Sequence, residues 1–208
     1  MLQRPQTLVF IAAAILCFTV SFVPLVGYTP DFSDAPTEIK KQLSDANPQI
    51  IVKASGLEYS MNKPTEPKIS DEEFEKGMKQ ANEDLKKQVE ARDLGIIFTL
   101  GMVGCILLGL STLSVVFLYK KRKVQIQLGM VLMVVSLGAT IGVFIASKMA
   151  LDTLVSLKLL PTIVDEIGLS ASYKIGFFMF PVIAVLLLIG VILVRKDENL
   201  VKSLDRLR

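Results

Sequence analysis

Histidine and tryptophan are absent from these 208 residues, and cysteine occurs only twice. Without histidine the chain lacks the commonest haem and zinc ligand and the commonest general base near neutral pH. Whole reaction classes lose their usual participant. Both cysteines, Cys17 and Cys105, fall inside long apolar runs, where thiols are usually inert packing groups. Charge is missing more selectively. The stretches 7–26, 95–119, 126–147 and 175–194 contain no Asp, Glu, Lys or Arg.

What is present is largely apolar. Hydrophobic residues make up 51% of the chain, and mean hydropathy is +0.53, which places it in the membrane class. A spanning helix needs about 20 apolar residues, and each charge-free stretch supplies them. The fold class expected is an all-α integral membrane protein with four transmembrane helices. A small mixed helix/hairpin extracytoplasmic insert separates the first two. The boundaries read as 1–27 for helix 1, 28–94 for the insert and 95–119 for helix 2. A basic turn follows at 120–125, then helix 3 at 126–147, an amphipathic outer loop at 148–174, helix 4 at 175–194 and an amphipathic tail at 195–208. The apolar region of helix 1 exceeds the roughly 7–15 residues of a cleaved signal, so it reads as an anchor.

Charge sets the expected orientation. The first segment, the basic turn and the tail carry ten Lys/Arg against three Asp/Glu, whereas 28–94 carries ten against fourteen. Short cation-rich loops stay in the cytoplasm and long loops cross regardless. Both termini and Lys120, Lys121, Arg122 and Lys123 are therefore expected inside. That run is a topology signal first. It also suits anionic lipid headgroups, at roughly 1 kcal/mol per cation.

Within the spans, Gly101, Cys105 and Gly109 recur every four residues, as do Gly138, Gly142 and Ala146. Such stripes let helix backbones approach, within the chain or against another membrane protein. Pro181 should bend helix 4. The polar residues of the spans are hydroxyls such as Thr112, Ser136 and Thr140, which can bond their own helix. Ionisable groups that mark proton or ion paths are missing.

In the insert, 37–46 reads as a short helix and 50–61 as a hairpin around Ser55 and Gly56. Ser70 and Glu73 have the spacing of a capping box. The helix they open carries Phe74, Met78, Leu85 and Val89 as an apolar stripe and is expected to run straight into helix 2. So small an insert makes little core. It either folds over its own helix or offers Phe74, Met78, Leu85 and Val89 to a periplasmic partner.

The opening "MLQRPQTL", the central "LYKKRKVQIQL" and the closing "RKDENLVKSLDRLR" resemble a Bacteroidota family of four-span inner-membrane proteins, itself a domain of unknown function. The resemblance covers the membrane part, and the insert is longer than that family's. By resemblance, Gln3, Arg4, Lys120, Arg122, Gln125, Asp197, Glu198, Asp205 and Arg206 match its signature, all on the cytoplasmic side. With Lys121 and Lys123, all of these but Gln3 form the candidate lipid or partner contact. The function expected is a non-catalytic accessory or scaffolding subunit of a bacterial inner-membrane complex. Its partners would be anionic lipid headgroups at the cytoplasmic face and other membrane or periplasmic subunits, not nucleic acid. A small transporter or lipid-handling protein is the alternative. No catalytic, cofactor or metal constellation is readable.

Overall fold

The computed structural model describes residues 5–30, 47–62, 71–91, 94–156 and 169–206. In chain order they form α1 (Pro5–Val20), β1 (Val26–Pro30), β2 (Gln49–Lys53), β3 (Gly56–Ser60), α2 (Asp71–Ala91), α3 (Leu94–Phe117), α4 (Arg122–Ser156), β4 (Leu169–Tyr173) and α5 (Ile175–Arg206). A 3-10 turn, Leu118–Lys120, follows α3. The protein is mostly helical with one small sheet. Three stretches are long and apolar enough to cross a membrane: Phe98–Lys120, Arg122–Ala150 and Ile175–Val201. The expected helix at 37–46, the Ser70 cap, the 92–93 joint and residues 157–168 lie outside the described residues.

Several boundaries move for identifiable reasons. α1 stops at Val20, short of the expected 26. Its end is closed by three-residue bonds, Ser21 N to Phe18 O and Phe22 N to Thr19 O, and Pro24 then has no amide to continue a ladder. At 1.5 Å per residue α1 is about 24 Å long, less than the roughly 30 Å of a hydrocarbon core. α4 begins at Arg122 and reaches Ser156. The basic turn is thus shorter than 120–125, and the first part of the expected loop 148–174 is helix, because no Gly or Pro interrupts 148–156. α5 continues without a break from the apolar stretch through the charged tail to Arg206, with Pro181 inside it.

The residues group into two compact units, one of Met1–Val23, Met102–Val143 and Gly176–Arg208, the other of Pro24–Gly101 and Phe144–Ile175. In the first, α1 packs against parts of α3, α4 and α5. Phe10, Ala13, Ala14, Cys17 and Val20 are buried, at the three- and four-residue spacing of one helix face. The ring of Phe10 lies so close to α5 that a Cβ on Gly190 would stand 2.7 Å from its Cζ. A Cβ on Gly129 of α4 would stand 2.6 Å from Val191 Cγ2, and one on Gly109 of α3 would stand 3.0 Å from the ring of Phe18. Buried hydroxyls turn to backbone: Ser136 Oγ donates to Phe180 O at 2.8 Å and Thr112 Oγ1 to Leu108 O at 2.8 Å. Around this interior, Leu8, Ile15, Leu107, Val134, Ile141 and Val185 are exposed, an apolar coat suited to hydrocarbon.

The two small-residue stripes behave differently. Gly109 and buried Cys105 meet the interior, while Gly101 only comes within ordinary distance of the Ala54 carbonyl, at 3.7 Å. Gly138 and Gly142 have nothing within 4 Å, and Ala146 is exposed. The close approaches on α4 and α5 use Gly129 and Gly190 instead. The intramolecular packing expected of Gly138, Gly142 and Ala146 therefore does not form among the described residues: Gly138 and Gly142 lie nine and thirteen residues from Gly129, on roughly the opposite side of α4.

The second unit is built on a four-stranded antiparallel sheet of order β3-β2-β1-β4. β1 is central, pairing Val26–Pro30 with Tyr173–Leu169 and Val26–Tyr28 with Val52–Ile50. From the sequence, Val26 is expected in helix 1 and 169–173 in the amphipathic loop. Non-local backbone pairing overrides those local patterns. β2 and β3 pair from Lys53 and Gly56 outward across Ala54 and Ser55. Gly56 has φ +147°, a conformation that only glycine adopts freely. A Cβ on Gly27 would stand 2.6 Å from Lys174 Cε, so the flexible end of the lysine, whose amine donates to Gln49 Oε1 at 3.3 Å, would have to shift.

α2 packs along β3, which forms one edge of the sheet. Asn82 stands in for a further strand: its Oδ1 accepts from Tyr59 N at 2.7 Å, and its Nδ2 donates to Tyr59 O at 3.2 Å and to Met78 O at 3.1 Å. An edge so capped is closed to further pairing at that residue. Phe74 and Met78 are half-buried on this helix, and the side chains of Leu85 and Val89 lie outside the described residues. Within the same unit, Tyr28 Oη donates to Ser147 O of α4 at 2.6 Å, and Phe144 stacks on Tyr173 at 5.9 Å. Burial, with the Tyr173 hydroxyl adding to it, pushes the Tyr28 hydroxyl up to about 12.

Two outcomes follow. Gly190→Ala should destabilise the detergent-solubilised chain by about 1–3 kcal/mol by overpacking Phe10, whereas Gly138→Ala should stay within about 0.5 kcal/mol; matched thermal midpoints compare them. Tyr28→Phe should cost about 1 kcal/mol. Because the folded pKa is raised, the wild type loses Tyr28's contribution as pH climbs from about 10 towards 12, and the Phe variant should lose that part of its alkaline slope in melts run across the window.

Candidate functional site

α3 ends where its apolar sequence runs out into the cations 120–123. Lys121 N donates to Leu118 O at 2.8 Å and tightens the last turn. Lys121, at φ −111° and ψ 68°, is the only residue between the 3-10 turn and α4. α4 starts with Gln125 N bonding Lys121 O at 3.0 Å. The first turn of α4 holds Arg122 and Lys123 and no acid. This reverses the usual charge preference, in which an anion at a helix N-terminus gains roughly 0.3–1 kcal/mol.

So tight a corner brings Gln125 under the end of α3. Its Nε2 donates to Val115 O at 3.2 Å, one of the terminal carbonyls that a helix leaves without its usual partner. Gln125 is 2% exposed. The expected role as a lipid or partner contact is therefore corrected: Gln125 is an internal clasp. Its Oε1 is buried with no hydrogen-bond partner among the described residues.

Arg122 reaches the other way. Nη1 donates to Asp197 O at 3.2 Å and Nη2 lies 3.6 Å from Asp197 Oδ2, so the corner is tied to α5. Two signature residues 75 positions apart thus meet. The pair is partly exposed and, as an ion pair, worth about 0–1 kcal/mol. Lys120, Lys121 and Lys123 are exposed and make no salt bridge with an acid among the described residues. Lys120 Nζ sits 5.9 Å from the centre of the Tyr119 ring. Together with Arg122, Val124, Glu198 and Val201 these lysines line an open cleft of about 400 Å³. A second shallow cleft of about 430 Å³ follows along α5, lined by Ile192, Arg195, Lys196, Asn199 and Leu200. Arg195 Nη2 leans on Met130 Sδ there, at 3.1 Å.

Of the candidate contacts, the structure brings Lys120, Lys121, Arg122, Lys123, Asp197 and Glu198 to one corner. Arg4 lies outside the described residues, as do the side chains of Asp205 and Arg206. Val201 was not singled out as a site residue, although its place on the apolar side of the tail was readable. Among the described residues there is no cluster of three or more metal-ligating side chains, and both cysteines are free and buried. The arrangement can hold an anion.

The helices define the class: a mostly α-helical protein with three apolar helices of membrane-crossing length. Its family follows from a family model, described as a domain of unknown function (DUF4293), that matches residues 60–207; the chain belongs to that family. No curated protein and no solved structure matches. The matched stretch starts at the last residue of β3. It takes in α2 as well as α3 to α5 and leaves out α1, β1 and β2, so the family's reach into the insert is wider than expected and does not include "MLQRPQTL".

The clasp predicts an order of tolerance at Gln125. Gln125→Leu removes one hydrogen bond and one unpartnered oxygen together and should change stability by less than about 1 kcal/mol. Gln125→Glu keeps the burial, loses the donor and should cost about 2–3 kcal/mol. Thermal unfolding of the two variants in one detergent compares them.

Proposed function

We propose that the chain is a four-span bacterial inner-membrane protein, with α1 as its short fourth span and both termini in the cytoplasm. In this reading it serves as a non-catalytic accessory or scaffolding subunit of a membrane complex. The cation count supports the orientation, because the α3–α4 corner and the end of α5 hold the chain's net positive charge. α1 supports the span count: it is uncharged and mostly apolar and shares an interior with three other helices. The reaction-poor interior supports a non-catalytic role.

The single observation that carries the subunit reading is the open face of α4. Among the described residues nothing lies within 4 Å of a Cβ placed on Gly138 or Gly142, while Gly109, Gly129 and Gly190 make close approaches. Small residues on a lipid-facing helix invite another helix, since apolar area alone gives helices no reason to associate in lipid. The buried hydroxyls of Thr112 and Ser136 are turned to helix carbonyls, which favours a packed interior over a solute path.

Tagged chain isolated from native membranes in mild detergent should carry a stoichiometric membrane partner. Gly138→Leu/Gly142→Leu should release it without changing the chain's own thermal midpoint. A wild-type chain that runs alone, or a partner retained by the double variant, would refute this assignment.

A further inference from the structure

We propose that the cleft at the α3–α4 corner is a phosphate-binding site, with an anionic phospholipid headgroup as its ligand. The inference rests on the reading of this corner as lying at the membrane boundary. Four consecutive cations converge on the cleft, and one carboxylate, Glu198, lines it with them. Arg122 is engaged by Asp197, which fixes the wall. Lys120, Lys121 and Lys123 make no salt bridge with an acid among the described residues and remain exposed.

The backbone adds to the same field. Lys121 stands immediately before α4, and Arg122 and Lys123 occupy a first turn without an acid. Cations concentrated at the positive end of a helix repel it and one another until an anion arrives. A phosphate has the charge and the several acceptor oxygens to meet ammonium groups and first-turn amides together.

The remaining wall argues for a ligand with a tail. Val124 and Val201 are 44% and 40% exposed at the mouth. A soluble phosphate ester leaves them in water, whereas a phospholipid covers them with its glycerol and upper chain.

The test uses the full-length chain in neutral detergent, with lipid adducts counted by native mass spectrometry. Phosphatidylglycerol should be retained in preference to phosphatidylcholine, and Lys121→Gln/Lys123→Gln should lower retention about twenty-fivefold, at roughly a fivefold effect per cation near its phosphate. Lys121→Arg/Lys123→Arg should keep it. Lys79→Gln/Lys87→Gln, which removes the same charge from α2, should leave it unchanged. Competition by glycerol phosphate assigns the site to a soluble ester, and indifference to it assigns the site to lipid; either supports phosphate recognition. Equal loss in the two glutamine pairs, or no preference for phosphatidylglycerol, overturns the proposal. Because no partner protein takes part, this result stands apart from the co-purification that tests the subunit assignment.

Discussion

The ring of Phe10 is the contact on which the helical unit depends. It is fully buried, and it reaches Gly190 only because that residue has no side chain. In lipid there is little apolar gain from bringing helices together, so close packing must supply the association. A large ring against bare backbone makes many dispersion contacts at once. α1, too short to be held by length alone, is held by this fit.

Electrostatics acts at one corner of the same unit. The chain places cations where a helix N-terminus disfavours them and provides one acid, Asp197, to anchor Arg122. Gln125 beneath them spends its donor on a carbonyl of α3 and leaves its oxygen unpartnered. A buried amide with one idle end is a small cost, and it closes a turn of one residue. The shortness of that turn brings the exposed lysines around one cleft.

The other unit answers a different demand, that backbone groups find partners. β1 gains two neighbours from segments far apart in the chain, and Asn82 supplies the amide groups that Tyr59 would otherwise turn to water. Much of α2's apolar stripe was readable from Phe74 and Met78, but its use was not. A four-residue spacing says that a face exists; the choice between its own strand and a foreign protein depends on where β3 lies. Asn82 left no such signal, since a single Asn in a charged helix looks like any solvated residue.

Composition and charge alone settled that the chain is apolar, mostly helical, without histidine chemistry, and cationic at 120–123 and along its tail. These are properties of residue types counted along the chain, and they need no neighbour to be true. The long helices were legible for the same reason, except that α4 runs on to Ser156 through part of the expected loop 148–174. Tertiary structure decided which glycines pack and which stand open, because that depends on which way each helix face turns. It also decided that Gln125 is interior, that Arg122 meets Asp197, and that Val26–Pro30 is the middle of a sheet. Each of these requires a partner about ten or more residues away, and a local pattern carries no record of it.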